Sequence, residues 1–310
     1  MKSKQLIGIT IIIFFVFFLL SLNSNNMNNQ ANNNLQNETK ELLQDNEASK
    51  GKSEYFTDPI VNEIGGTIEK RYKPPAVFER IPVEQDSFAY YLRNQKLKAY
   101  GEKALYYNGK EKDSKDIYDS VIDVEIGDRD LHQCADAIML LMAEYLYQQK
   151  RYNEISFNFT NGFSADYQKW LEGYRIKVTG NDVTWIKEAS YDDSYSSFRK
   201  YMDLVFSYAG TLSLEKQLIS VNINDMQIGD VFIQGGSPGH AVIVVDMAYD
   251  KENGEKVFIL AQSYMPAQQT QILVNPFDKE ISPWYRLNSS EEKLITPEWQ
   301  FKITDLKRFP

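Results

Sequence analysis

The run Ala241-Val-Ile-Val-Val-Asp-Met247 is apolar at every position except Asp246. Successive side chains in a strand point to opposite faces, so a run like this is stable only where both faces are covered. It reads as the central strand of a sheet, which fixes the rest of the architecture around it. Gly229 and Asp230 open a shorter strand, Val231 to Gln234, and Gly235 to Gly239 supply a turn. His240 begins the central strand, and a turn over Asp250 to Glu255 leads to a third strand, Lys256 to Gln262. The expected result is an antiparallel meander. With that turn centred near Lys251 or Glu252, the register sets His240 opposite Gln262, Asp246 opposite Lys256, Val244 opposite Phe258 and Val242 opposite Leu260. Opposed residues share a face, so a carboxamide would stand beside the imidazole at the strand mouth and hold its orientation.

The most helical segment is Asp130 to Gln149, rich in Leu, Met and Ala and free of Gly and Pro. Asp130 is the expected N-cap. Cys134 then falls in the first turns, where the helix dipole and free N–H groups favour a thiolate and an oxyanion. It also lies at helical spacing from Leu131, Ala135, Ile138, Leu141 and Met142, the spacing of a packed core thiol. Both readings stand on the helix alone. Cys134 is the single cysteine, so no intramolecular disulfide exists. A turn histidine and a polar strand end are ordinary explanations of His240 and Gln262 taken singly. In combination, a helix-start thiol, a strand-start imidazole and a polar group on the next strand make a candidate catalytic set.

At the N-terminus, Lys2 and Lys4 precede an apolar stretch from Leu6 to Leu22. As a helix it spans about 25 Å, close to a hydrocarbon core. No small-x-small pair marks a cleavage site, so residues 1–22 are expected to stay as a signal anchor, with the remainder outside the cytoplasm. Nine of the fifteen residues from Asn23 to Asn37 are Asn, and residues 23–54 read as a solvated linker. Residues 55–310 continue in one globular composition, a single domain. The net charge of −9 excludes the basic surface that nucleic acid needs. The chain has two histidines and no H-E-x-x-H, so neither a metal nor a cofactor is expected. Tyr264 and the segments Ser282-Pro-Trp-Tyr285 and Thr296-Pro-Glu-Trp299 supply aromatic side chains for either a core or a ligand surface.

In element order these blocks are similar to the papain-like hydrolases, in particular the NlpC-type cell-wall cysteine peptidases. That resemblance implies an α+β fold with a helix packed on an antiparallel sheet. It implies Cys134 as nucleophile, His240 as general base and Gln262 as the orienting group, acting on cell-envelope peptide or peptidoglycan. The 106 positions between Cys134 and His240 exceed the compact spacing, so an inserted helical lobe is expected over Ser164 to Tyr174 and Ser194 to Leu218. The cysteine is also expected deeper in its helix than such nucleophiles sit. A non-catalytic envelope protein holding a peptide or glycan in the same groove is the alternative. Across the globular region, the blocks RDLHQCADAIM, VFSYAGTLSL, GDVFIQGGSPGHAVIVVD and LAQSYMPAQQTQIL resemble a bacterial family of uncharacterised proteins, domain of unknown function 4846.

Overall fold

A computed structural model describes residues 59–112, 116–287 and 292–310. The signal anchor expected over 1–22 and the linker over 23–54 lie outside the described residues. Within the described residues no helix is long and apolar enough to cross a membrane. The chain opens with α1 (Ile68–Arg71), β1 (Phe78–Arg80), α2 (Phe88–Arg93) and β2 (Tyr118–Val121), then the long helix α3 (Cys134–Gln148). Next come β3 (Ser156–Asn158), β4 (Ser164–Asp166), α4 (Tyr167–Leu171), β5 (Tyr174–Thr179), β6 (Asp182–Lys187), α5 (Tyr195–Tyr208), α6 (Thr211–Gln217) and β7 (Ile219–Ser220). The meander follows as β8 (Val231–Gln234), β9 (His240–Asp250) and β10 (Lys256–Gln262), with β11 (Gln271–Leu273), β12 (Trp284–Arg286), β13 (Lys293–Ile295), β14 (Gln300–Lys302) and β15 (Leu306–Arg308) closing the chain.

The fold is α+β. Its principal sheet is antiparallel in the order β2-β11-β10-β9-β8-β15-β7, with β1 added to β9 and β12 to β10. As its composition requires, β9 lies inside the sheet and is buried along nearly its whole length. One face carries Ala241, Ile243, Val245, Ile259 and Ala261 against Ala135 and Ile138 of α3. The other carries Val242, Val244, Phe258 and Leu260 with Phe232, Leu294 and Phe301. Each such Val, Ile, Leu or Phe contributes about 1.5–3 kcal/mol on burial. Helix α3 is apolar around most of its circumference, with eleven of its fifteen residues buried. It is therefore covered on both sides, by the sheet and by Phe198, Tyr201 and Met202 of α5.

The register differs from expectation. Lys256 pairs with Tyr249, Phe258 with Met247 and Ile259 with Asp246, three positions away from the expected partners. An odd displacement would put His240 and Gln262 on opposite faces. A β-bulge follows: Leu260 pairs with Val244 and Ala261 with Ile243, leaving Val245 as the extra residue. The displacement becomes two, and the original parity returns. Asp246 at the bulge does not meet Lys256. Its carboxylate is fully buried and accepts from Arg80 Nε at 2.8 Å, Arg93 Nε at 2.7 Å and the backbone N–H of Met247 at 2.9 Å.

The segment between α3 and the meander is not a helical lobe but a mixed one. Of Ser164 to Tyr174 only Tyr167–Leu171 is helical. Two hairpins, β3–β4 and β5–β6, share the segment with α4, α5 and α6. Gly180, at a positive φ of 62°, turns the chain between β5 and β6, where alternating Ile176, Val178, Val183 and Trp185 favour a pleated surface.

Candidate active site at a helix start and a strand mouth

Cys134 is the first residue of α3, not one deeper in it as expected. Gln133, rather than Asp130, holds the extended N-cap conformation, and its N–H donates to Asp136 Oδ2 at 3.0 Å. Asp130 is engaged elsewhere. Its Oδ1 accepts from Gln133 Nε2 at 3.1 Å and from the backbone N–H of Ala267 at 2.6 Å, tying the helix start to the loop after β10. The Cys134 side chain is buried, with the residue 5% exposed. Burial, aided by the Asp136 carboxyl, pushes its thiol up to about 11, while the backbone N–H groups of Ala135, Ala241 and Cys134 itself pull the other way. The sulfur therefore lies against the residue that directly follows His240.

His240 is buried at the first position of β9 and pairs across the turn with Gln234. Its Nε2 is 2.8 Å from Gln262 Oε1. The two are diagonal neighbours on one sheet face, because β10 is displaced by two positions from the expected pairing and keeps its parity. The imidazole is enclosed by Tyr264, Trp299 and Phe301, with ring centroids at 4.7, 5.4 and 5.8 Å. Burial lowers its pKa to about 4; the hydrogen bond to Gln262 opposes this and the Lys112 charge adds to it. Tyr264 joins the two halves of the site: its ring packs on His240, and burial, with smaller contributions from Glu298 and then Cys134, raises the pKa of its phenol.

Two further side chains complete the polar set, and neither was expected. Gln262 Nε2 donates to Glu298 Oε2 at 2.6 Å, and the same oxygen accepts from Lys112 Nζ at 2.9 Å. The Lys112 ammonium is buried and also donates to Gln271 Oε1 at 3.3 Å. Glu298 arrives on the turn of the β13–β14 hairpin, beside Trp299, whose Nε1 donates to Gln234 Oε1 at 3.0 Å. The Thr296-Pro-Glu-Trp299 block thus supplies both a ring and a carboxylate to His240's surroundings. Trp284, by contrast, is core, with Nε1 donating to the carbonyl of Lys73 at 2.8 Å.

A groove of about 400 Å³ opens at the helix start, walled by Cys134, Asp136, Thr211, Leu212, the turn Gly236 to Gly239 and Met265. Leu212 and Met265 are exposed apolar residues on its sides. Gly239 lets the turn close onto α6: a Cβ there would meet Thr211 Oγ1 at 2.5 Å and the carbonyl of Gly236 at 2.7 Å. The other histidine, His132, is a core residue, its Nε2 3.1 Å from Thr270 Oγ1 and its ring edge against Phe206. Burial lowers its pKa to about 3. Among the described residues no cluster of three or more His, Cys, Asp or Glu side chains is placed to hold a metal ion.

The fold and site define an α+β protein in which a helix-start cysteine meets the mouth of an antiparallel sheet carrying a buried imidazole–carboxamide pair. The chain belongs to the family described as domain of unknown function (4846), whose model matches residues 68–308, from α1 to the end of β15. No curated protein and no solved structure matches it.

Proposed function

We propose that the protein is a membrane-anchored, extracytoplasmic cysteine hydrolase of papain-like, NlpC type, an amidase or peptidase acting on cell-envelope peptide. The observation that carries this reading is the placement of the Cys134 sulfur against the N–H of Ala241, while the preceding residue, His240, is held by Gln262 at 2.8 Å. His240 is neutral at physiological pH and so is available as a base. In the reaction it takes the thiol proton as Cys134 Sγ attacks the substrate carbonyl, forming a tetrahedral oxyanion. The free N–H groups of the first turn of α3 are the donors that would face that oxyanion. Collapse breaks the C–N bond, and the imidazolium returns its proton to the leaving amine. Water then hydrolyses the thioester, with His240 again as base. The exposed Leu212 and Met265 give the groove apolar walls for a peptide side chain. The lysine-flanked apolar segment at residues 1–22 supports the location, and the Asn-rich linker supplies reach. The test is release of new amino groups from purified peptidoglycan fragments, which Cys134→Ser and His240→Ala are expected to abolish. Turnover that survives Cys134→Ser refutes the assignment.

One observation favours a second reading. The thiol is buried and held protonated, as in a structural core cysteine. A non-catalytic groove for peptide or glycan then follows, and a Cys134→Ala variant that keeps ligand affinity while no turnover is found in the wild type supports it.

A further inference from the structure

Glu298 accepts hydrogen bonds and, once ionised, donates none. Its Oε2 stands 2.6 Å from one end of the Gln262 carboxamide and 2.9 Å from the Lys112 ammonium, with which it forms an ion pair. The end of the amide facing Glu298 must therefore be the NH2, because a carbonyl there would face a carboxylate with no proton between them. The other end, 2.8 Å from His240 Nε2, is then the carbonyl oxygen, and it requires a proton on that nitrogen. A neutral imidazole carries one ring proton, so Nδ1 is left as the bare, basic nitrogen. Lys112 is steadied in turn by Gln271 Oε1 at 3.3 Å, and Gln271 Nε2 donates to Gln268 Oε1 at 2.7 Å. The donors converge on Glu298, from Lys112 on one side and on the other from Gln262, whose carbonyl in turn accepts from the histidine.

We infer that Glu298, held by Lys112, is a positioning residue that sets the His240 tautomer by fixing which way the Gln262 carboxamide points. Glu298 touches neither His240's ring proton nor a substrate, and it acts only through Gln262. The consequence for catalysis rests on the hydrolase reading, since Nδ1 is the nitrogen left to take the Cys134 proton. The tautomer itself does not.

The test is ¹⁵N–¹H correlation of the imidazole rings in the full chain at pH 7. Two histidines give two sets of signals, assigned with His132→Asn. In the wild type His240 is expected as the Nε2–H tautomer alone. In Glu298→Gln the neighbour can donate or accept, the Gln262 amide is no longer forced, and a mixture of Nε2–H and Nδ1–H forms is expected. A wild-type His240 protonated at Nδ1 overturns the inference, as does a Glu298→Gln protein with its tautomer unchanged. If Glu298→Gln fails to fold, the wild-type spectrum still decides. If the enzyme assay gives turnover, Glu298→Gln is expected to lower kcat in proportion to the Nδ1–H fraction seen in the spectrum, with KM little changed. Absence of turnover with the expected tautomers removes the hydrolase reading and leaves the role of Glu298 standing.

Discussion

The protonation state of Cys134 separates a resting thiol from a stored thiolate, and the pH dependence of its alkylation reports that state. Burial and the Asp136 carboxyl raise the thiol from its ordinary 9.0 to about 11. At pH 8 the thiolate fraction is then about one in a thousand, against about one in ten for the unperturbed group, a hundred-fold deficit. That corresponds to about 2.7 kcal/mol of disfavoured charge, at 1.36 kcal/mol per pKa unit. Iodoacetamide should accordingly modify the folded protein at least about a hundred-fold more slowly at pH 8 than the urea-unfolded chain. The rate should rise ten-fold per pH unit through pH 10 with no plateau. Cys134 is the single cysteine, so the intact mass reads one site. A plateau between roughly pH 5 and pH 8 would mean that the sulfur is held as a thiolate against an imidazolium. That result would refute the burial-dominated ground state, and the proton transfer to His240 would then precede substrate binding.

Other outcomes follow from the same contacts. Asp246→Asn strips the counter-charge from Arg80 and Arg93 and should cost about 3–5 kcal/mol in urea unfolding; a loss under about 1 kcal/mol would show the arginines to be solvated. Because His240 falls to about 4, the acid limb of kcat/KM should lie near pH 4, not 6.5, in a pH profile on a soluble peptide substrate. The same depressed value means that the unfolded chain takes up a proton before the native one does. Stability should therefore fall as pH drops from about 6.5 to 4, and His240→Gln should reduce that slope, leaving the part that the likewise depressed His132 supplies. Asp136 has the opposite sign: burial raises its carboxyl from 3.8 to about 8, so the native state keeps a proton that the unfolded chain releases. Stability should decline as pH rises from about 4 to 8, and the urea midpoint of Asp136→Asn should lack that slope.

The antiparallel meander was legible because β-branched residues over Ala241 to Met247 admit few other structures, and the helix because Ala, Leu and Met fill Cys134 to Leu146. Register was not legible. It depends on the bulge at Val245, and the neighbouring Asp246 is satisfied by arginines 166 and 153 positions earlier in the chain. No local pattern could reveal that. Asp130 had the composition of an N-cap, but the N–H of Ala267 holds its side chain and the helix starts later, which moves Cys134 to the first turn. Glu298 was visible only as part of an aromatic block, and Lys112 carried no signal at all. Buried polar partners of this kind are chosen by tertiary geometry, and their residue types are otherwise common on surfaces.

The two faces of the sheet explain why the candidate site lies where it does. Helix α3 covers the face that carries Ala241 and Ile243, whereas the His240 ring packs with Phe301 and Trp299 on the other. Along the length of β9 the strand itself separates these layers. Only at its first residue can a side chain from one face come near a group from the other. His240 occupies that residue, Gly239 before it has no side chain to intervene, and the sulfur lies at the N–H of Ala241 just after it. The bulge then becomes a functional feature as well as a packing one. Were Val245 paired with Leu260 in place of being bulged out, the pairing would keep its odd displacement and Gln262 would turn to the α3 face, away from the imidazole. Deleting Val245 removes the extra residue and leaves Ile259–Asp246 and Leu260–Val244 as consecutive pairs of a regular ladder, so the His240–Gln262 hydrogen bond should survive in a protein that still folds. The ring ¹⁵N shifts would show it as retention of the single Nε2–H tautomer, and a folded deletion variant that lost that tautomer would refute the parity argument.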